Sequence, residues 1–287
     1  MAQDDPVVSA QWLQRHLGQP DIKVLDASWH MPQESRDPWQ EYKVAHIPGA
    51  LFFDIDGIAD RMTDLPHMLP SAEAFAAAVS ALGIRNHDKV IVYDSKGFYS
   101  APRVWWMFRI LGHNEVWVLD GGLPQWQASG YNLGSNCPED AILKSKAANT
   151  AVETTYNGEL VKHNVAAQTH QVVDARSRGR FDGIEPEPRK GVRSGHIPGT
   201  KNVPFPEMFD GAPKLLPADE LSKKFEQAGI SLDHPIVVTC ASGVTACIVA
   251  LGLYRVGKHD IPVYDGSWTE WEAQPDIDYP KVTSTGS

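Results

Sequence analysis

The sequence predicts an α/β architecture built twice over, and three observations carry that prediction. Short β-branched apolar runs alternate with helix-length amphipathic segments, the pattern of central, mostly parallel sheets with helices on both faces. A set of landmarks in the first half recurs in the same order in the second. The length of 287 residues suits two domains of roughly 140 each better than one.

In the first half, Ile22-Lys23-Val24-Leu25-Asp26-Ala27 reads as a strand ending at an acid, and His46-Ile47-Pro48-Gly49 follows a polar, irregular stretch. Pro70 to Leu82 is an Ala-rich helix with Ser71 as its N-cap and Gly83 as its stop. Val90 to Asp94 is the next strand, then a Ser-Lys-Gly turn, then a helix from Ala101 to Leu111 closed by Gly112. Val116 to Asp120 is a strand that runs into Gly121-Gly122-Leu123.

The second half repeats that order. Val172-Val173-Asp174-Ala175 answers the first strand, with Asp174 148 positions after Asp26. His196-Ile197-Pro198-Gly199 follows the first His-Ile-Pro-Gly by 150 positions, and Pro217 follows Pro70 by 147. Cys240 falls 146 positions after Asp94, and Asp265, in Tyr264-Asp265-Gly266-Ser267-Trp268, 145 after Asp120. Five landmarks at nearly constant offset indicate a duplication. The expected boundaries are a first domain over 1–135, a linker over 136–157 where Ser, Asn, Lys and Ala replace apolar periodicity, and a second domain over 158–287.

Composition narrows the function classes. With 26 basic and 36 acidic residues, the net charge of −10 argues against nucleic acid or an anionic membrane as a partner, though a pocket can still be locally basic. No stretch approaches the 18 or so apolar residues of a membrane span. Three cysteines, Cys137, Cys240 and Cys247, are too few for a disulfide framework and fit a reducing compartment. The segment Met1-Ala-Gln-Asp-Asp-Pro6 lacks the basic and apolar regions of a secretory signal. A cytoplasmic location is expected, or a mitochondrial one if a presequence has been removed. No His, Cys or carboxylate cluster has metal spacing, and the paired-glycine turns lack a dinucleotide fingerprint, so neither metal nor cofactor is expected.

The chemistry concentrates at Cys240. The apolar run Ile236 to Thr239 leads into Cys240-Ala241-Ser242-Gly243-Val244-Thr245-Ala246, and the apolar segment after it fits a helix to Val256 closed by Gly257. A strand, a tight loop and a helix start in that order aim several N–H groups at one point and favour an anionic sulfur there. The competing reading is a buried core cysteine. The duplication sharpens the choice, because the first domain has Asp94-Ser95-Lys96-Gly97 at this position. It has no sulfur nucleophile, so the second domain is the catalytic one. Cys247 is expected two turns down the same helix, in the core, and His46 and His196 read as turn residues common to both halves.

Cys240-x-Ser242-Gly243-Val244-Thr245-Ala246 closely resembles the active-site loop of the mercaptopyruvate sulfurtransferases, relatives of rhodanese, although the family form has Gly where this chain has Ala241. The resemblance extends over nearly the whole chain and implies tandem rhodanese-like domains. It implies that Cys240 takes sulfur from 3-mercaptopyruvate as a persulfide, held by the amides of Ala241, Gly243, Val244 and Thr245. Cyanide, a small thiol or thioredoxin then accepts the sulfur. Arg180 and Arg189, in Arg180-Phe181-Asp182-Gly183-Ile184-Glu185-Pro186-Glu187-Pro188-Arg189, match the family's substrate-binding segment, and a guanidinium fork suits a carboxylate. Asp56, His67 and Ser242 match a proposed proton relay, which needs an interdomain cleft.

Other readings stay open at this point. A thiosulfate sulfurtransferase is disfavoured by a loop with Ala241 and Ser242 in place of basic residues. A catalytically silent relay or binding module is disfavoured by the retained cysteine and arginines. A phosphatase would need Arg six positions after the cysteine, where this chain has Ala246.

Overall fold

A computed structural model of the chain describes residues 5–135 and 156–284. The chain forms two compact units, one of residues 1–61, 69–152 and 209–215, the other of residues 62–68, 153–208 and 216–287. Each half thus lends the other a short segment. Cys137 lies outside the described residues.

Among the described residues the first unit holds five strands, β1 (Val7–Val8), β2 (Ile22–Asp26), β3 (Leu51–Phe52), β4 (Lys89–Tyr93) and β5 (Val116–Leu119), in the order β1-β5-β4-β2-β3 with every pair parallel. Both faces of β4 are buried, which is why Val90 to Tyr93 is apolar without alternation. Ile91 and Tyr93 join Val24, Leu13 and Trp126 in one core cluster, under the helices Ala10–His16 and Gly122–Ala128. Phe75 and Phe108, from the helices Ala72–Ala81 and Ala101–Ile110, form an aromatic cluster with Phe53, which follows β3. Ser71 caps the first of these by accepting from the Ala74 amide at 3.1 Å, as its sequence position implies.

The second unit repeats the plan with β6 (Gln171–Asp174), β7 (Lys201–Asn202) and β8 (Ile236–Thr239), ordered β7-β6-β8 and again parallel. The helices Gly158–Ala167 and Ser267–Ala273 share a cluster with Val237, Trp268 and Trp271. The helix Ala246–Arg255 packs against the helix Ala218–Gln227, with Gly252 facing Leu221 and Phe225. Equivalence between the units extends to single bonds. Ala27 donates to the Tyr93 carbonyl as Ala175 does to that of Thr239, and Leu123 donates to the Asp94 carbonyl as Trp268 does to that of Cys240.

His46 and His196 hold turns in both units, through Nδ1 contacts of 2.7 Å to the Tyr42 carbonyl and 2.8 Å to that of Phe181. No described helix is long and apolar enough to cross a membrane. Among the described residues no group of His, Cys, Asp or Glu is arranged to hold a metal ion.

Candidate functional site

Cys240 follows β8 directly, and the loop after it runs to Thr245 before the helix Ala246–Arg255 begins. The residue is 1% exposed and its thiol is free. The left-handed turn falls on Gly243, at φ +77°, and not on Ala241. An alanine in place of the family glycine therefore introduces no strain of that kind. Cys247 is also buried, but it sits in the first turn of the helix, not two turns down it. The six-residue loop takes up the spacing that sequence reading assigned to helix, and the Cys247 thiol donates to the Gly243 carbonyl at 3.2 Å.

The loop is pinned from one side by the start of the helix Ser267–Ala273. The Cys240 carbonyl accepts from the Trp268 amide at 3.0 Å, and the Ala241 carbonyl accepts from the Thr269 amide at 3.0 Å and its hydroxyl at 2.6 Å. Ser267 lies beneath the loop with its hydroxyl donating to the Tyr264 carbonyl at 2.8 Å. The same oxygen accepts from the amides of Cys240 at 3.2 Å and Gly243 at 3.1 Å. Ser267 is fully buried and holds φ +52°, an unusual backbone for a residue with a side chain.

The amides of Ser242, Thr245 and Ala246 donate to no protein acceptor among the described residues. What such amides do is visible in the first unit, where Asp94 stands at the place of Cys240. Its carboxylate accepts from the amides of Lys96 at 2.9 Å, Tyr99 at 2.8 Å, Ser100 at 3.0 Å and Ala101 at 2.9 Å. At the constant offset of 146 these are the positions of Ser242, Thr245, Ala246 and Cys247. In the first unit the loop is thus a cradle for the anionic side chain of its own first residue.

The arginine segment is held by Glu187. Its carboxylate bonds the Arg176 guanidinium at 2.7 Å and also that of Arg180. Arg176 is fully buried against Asp174 at 2.6 Å and stacks on Trp268 at 4.6 Å. Burial opposes its charge, and the two carboxylates more than offset that, so Arg176 is held protonated. Arg180 is half-buried, and its Nε has no hydrogen-bond partner among the described residues. An Nη of Arg189 lies 3.3 Å from Nε2 of His67. Arginine only donates, so His67 Nε2 is the acceptor in this hydrogen bond. His67 is buried at φ +62°, another side chain held in the left-handed region.

The expected relay residues are not all joined. The Ser242 hydroxyl makes no hydrogen bond to a protein group among the described residues. Asp56 belongs to the first unit, where its carboxylate accepts from the Trp29 indole at 2.8 Å. Sequence reading missed Ser267, Glu187 and Arg176. The signal for two of them was in the repeat itself, where Gly122 and Ser28 give way to Ser267 and Arg176.

The rhodanese-like domain family matches residues 9–129 and again 158–274. This chain belongs to the rhodanese family. It is 58% identical to the mitochondrial thiosulfate/3-mercaptopyruvate sulfurtransferase 1 of Arabidopsis thaliana, over 98% of this chain and 79% of that protein. It is 46% identical to the 3-mercaptopyruvate sulfurtransferase of Homo sapiens, over 92% of this chain and 91% of the relative. Among solved structures, the Escherichia coli protein SseA, titled a 3-mercaptopyruvate sulfotransferase, matches with a TM-score of 0.79 at 40% identity, covering 92% of this chain and 99% of that one. Within the rhodanese family this chain is an enzyme, a sulfurtransferase.

Proposed function

We propose that the chain is a 3-mercaptopyruvate sulfurtransferase with Cys240 as its nucleophile. The relatives' names include thiosulfate as well as 3-mercaptopyruvate, so names do not choose the donor. The observation that carries the choice is the placement of cations: Arg180 and Arg189 are positioned in the second unit, while the cysteine loop carries no charged side chain.

The Cys240 thiolate attacks the sulfur of 3-mercaptopyruvate and forms an S–S bond. The carbon–sulfur bond breaks, its electron pair leaving as the enolate of pyruvate, which takes up the proton released by the thiols. The amides of Ser242, Thr245 and Ala246 hold the negative charge on the outer sulfur, as those of the first-unit loop hold a carboxylate. An acceptor then attacks the outer sulfur, and Cys240 leaves as thiolate. Cyanide, small thiols and thioredoxin fit this step, since it asks only for a nucleophile that reaches the loop. Arg180 and Arg189 bind the donor's carboxylate and keto oxygen, with Glu187 fixing Arg180 and His67 fixing Arg189. A reducing compartment, cytoplasmic or mitochondrial, keeps the thiol available.

The deciding experiment compares kcat/KM on 3-mercaptopyruvate and thiosulfate for the unmodified chain and for Arg180→Ala and Arg189→Ala. The unmodified chain prefers 3-mercaptopyruvate. Each variant loses roughly 30-fold or more on that donor, the cost of one desolvated charge-assisted contact, and much less on thiosulfate. A preference for thiosulfate overturns the assignment, and equal losses on both donors make the arginines scaffold. A proton relay from Ser242 through His67 to Asp56 predicts that His67→Ala acts mainly on kcat. An effect confined to KM would leave His67 as the support of Arg189.

A further inference from the structure

The duplication that explains the cysteine loop also exposes a gap in the first unit. In the second unit the space beside the last residue of β6 is filled by the chain itself. The Arg176 guanidinium bonds the Asp174 carboxylate through Nε at 3.0 Å and Nη at 2.6 Å, reaches Glu187 at 2.7 Å and lies over Trp268. In the first unit Asp26 occupies the place of Asp174, at the end of β2. Its carboxylate accepts the amide of the residue two along at 2.9 Å, as Asp174 does. The two residues that make the plug are gone, because Ser28 replaces Arg176 and Leu123 replaces Trp268. In their place is a cavity of about 460 Å³ lined by Asp26, Ser28, Leu123, Ser95, Arg36 and Glu41.

We propose that this cavity is a binding site for a small molecule carrying a guanidinium group, seated against Asp26 where the second unit seats the side chain of Arg176. The volume lies within the range of small-molecule sites, about 300–1,000 Å³. Asp26 is 2% exposed, and the groups that act on its charge are the neutral Ser28 and Tyr93, which hydrogen-bond it, and the acid Asp94. Arg36 is committed elsewhere, with Nε and Nη each 2.7 Å from Glu41, which also takes a 2.9 Å contact from His30. The Ser95 hydroxyl is buried on the cavity wall without a hydrogen-bond partner. It supplies an acceptor for a second N–H of the same planar group. Tyr42 and Val44 line the cavity too and offer apolar surface to the carbon chain that bears the guanidinium.

The probe is agmatine, titrated calorimetrically into the full chain, with N-carbamoylputrescine as the control that keeps the chain and the amine but replaces guanidinium with a neutral urea. Agmatine binds saturably at one site, and the control at least about tenfold more weakly, as expected when a charge-assisted bond is lost. Asp26→Asn weakens agmatine by a similar factor. The double variant Ser28→Arg with Leu123→Trp restores the second unit's own plug and abolishes binding, while circular dichroism and turnover of 3-mercaptopyruvate stay unchanged. The proposal falls if agmatine shows no saturable binding or if the urea control binds equally well. Binding that survives Asp26→Asn, or a folded and active double variant that binds as before, overturns it too.

Discussion

The loop that begins at Asp94 and the loop that begins at Cys240 are one structure put to two uses. Each follows a buried parallel strand, turns at a left-handed glycine (Gly97 at φ +101°, Gly243 at +77°) and enters an apolar helix. In the first, the backbone amides are satisfied by the carboxylate of the loop's own first residue. In the second that residue is a thiol, which is shorter and uncharged as SH, and the matching amides of Ser242, Thr245 and Ala246 are left for an anion that arrives by chemistry. A persulfide extends the side chain by one atom and adds charge, two properties the aspartate already has. Under the proposed function, the first unit displays in a stable form the arrangement that a Cys240 persulfide would form in the second.

Differences beneath the loops follow from the same division. Gly122 sits under the first loop because a Cβ there would meet the Asp94 carbonyl at 2.5 Å. The second loop lies over Ser267, whose hydroxyl takes two amides, from Cys240 and Gly243. Ser267 thus occupies the amides of Cys240 and Gly243.

The largest expected effect tests the loop identity directly. Cys240→Ser abolishes turnover, and mass spectrometry after mixing with 3-mercaptopyruvate finds no added sulfur, whereas Cys247→Ser keeps most activity. Cys240→Asp is equally inactive but melts higher than the unmodified chain, because its carboxylate takes the amides as Asp94 does. A lower melting temperature for Cys240→Asp would break the comparison.

Next in size is Asp94→Ala, which strands four amides, those of Ser100 and Ala101 buried and those of Lys96 and Tyr99 partly so. A loss of about 3 kcal/mol or more is expected, at 1–3 kcal/mol for a buried donor left unmade. Urea denaturation measures it, and a cost below about 1 kcal/mol, the size of an ordinary hydrogen bond, would show that the carboxylate is not what holds the first cradle.

The paired acids Asp174 and Asp26 give opposite signs for one substitution. Asp174→Asn removes a partner of buried Arg176 and costs about 3 kcal/mol. Asp26 has no such partner, and burial raises its carboxyl from 3.8 to about 6. A carboxyl raised on folding contributes stability below its unfolded value and loses that contribution as pH rises through its folded value. Asp26→Asn therefore stabilises the chain at pH 7.5 by about 2–3 kcal/mol, the free energy of that rise at about 1.4 kcal/mol for each tenfold change in acidity. Its advantage disappears near pH 3.5, about where the unfolded carboxyl is itself protonated. Urea midpoints at the two pH values read this. A destabilised Asp26→Asn at pH 7.5 would mean that a cation within the chain already answers Asp26.

The smallest effect belongs to Ser267→Gly, which gives the second loop the support of the first. Relief of the left-handed backbone gains about 1 kcal/mol and the buried Cys240 amide left unmade costs about 1–3 kcal/mol, so a net loss of about 1 kcal/mol is expected. Persulfide formation slows roughly tenfold as the Cys240 and Gly243 amides lose their acceptor, the rate equivalent of about 1.4 kcal/mol. Stopped-flow of the sulfuration step checks it, and an unchanged rate would make Ser267 a packing residue only.

The sequence by itself determined the duplication, the α/β class and the strand and helix that flank each loop, and it singled out Cys240 as the proposed nucleophile. These are local or periodic properties. Apolar runs fix strands, caps and stops fix helices such as Ala72–Ala81, and a constant offset sets Cys240 against Asp94 without knowledge of any contact. The short strands Val7–Val8, Leu51–Phe52 and Lys201–Asn202 were not legible, because two residues carry no period and exist only by pairing with a neighbour. The start of the helix at Ala246 was missed for a related reason, since an apolar sequence does not show where a loop's amides stop pointing outward. Only the tertiary structure decided that Ser267 lies under the loop, that Glu187 joins Arg176 to Arg180, and that Arg189 meets His67 across 122 positions of chain. It also decided that residues 62–68, which carry His67, belong to the second unit. Such contacts depend on where distant segments come to rest, and the hydrogen bonds that define them leave no periodic trace in the sequence.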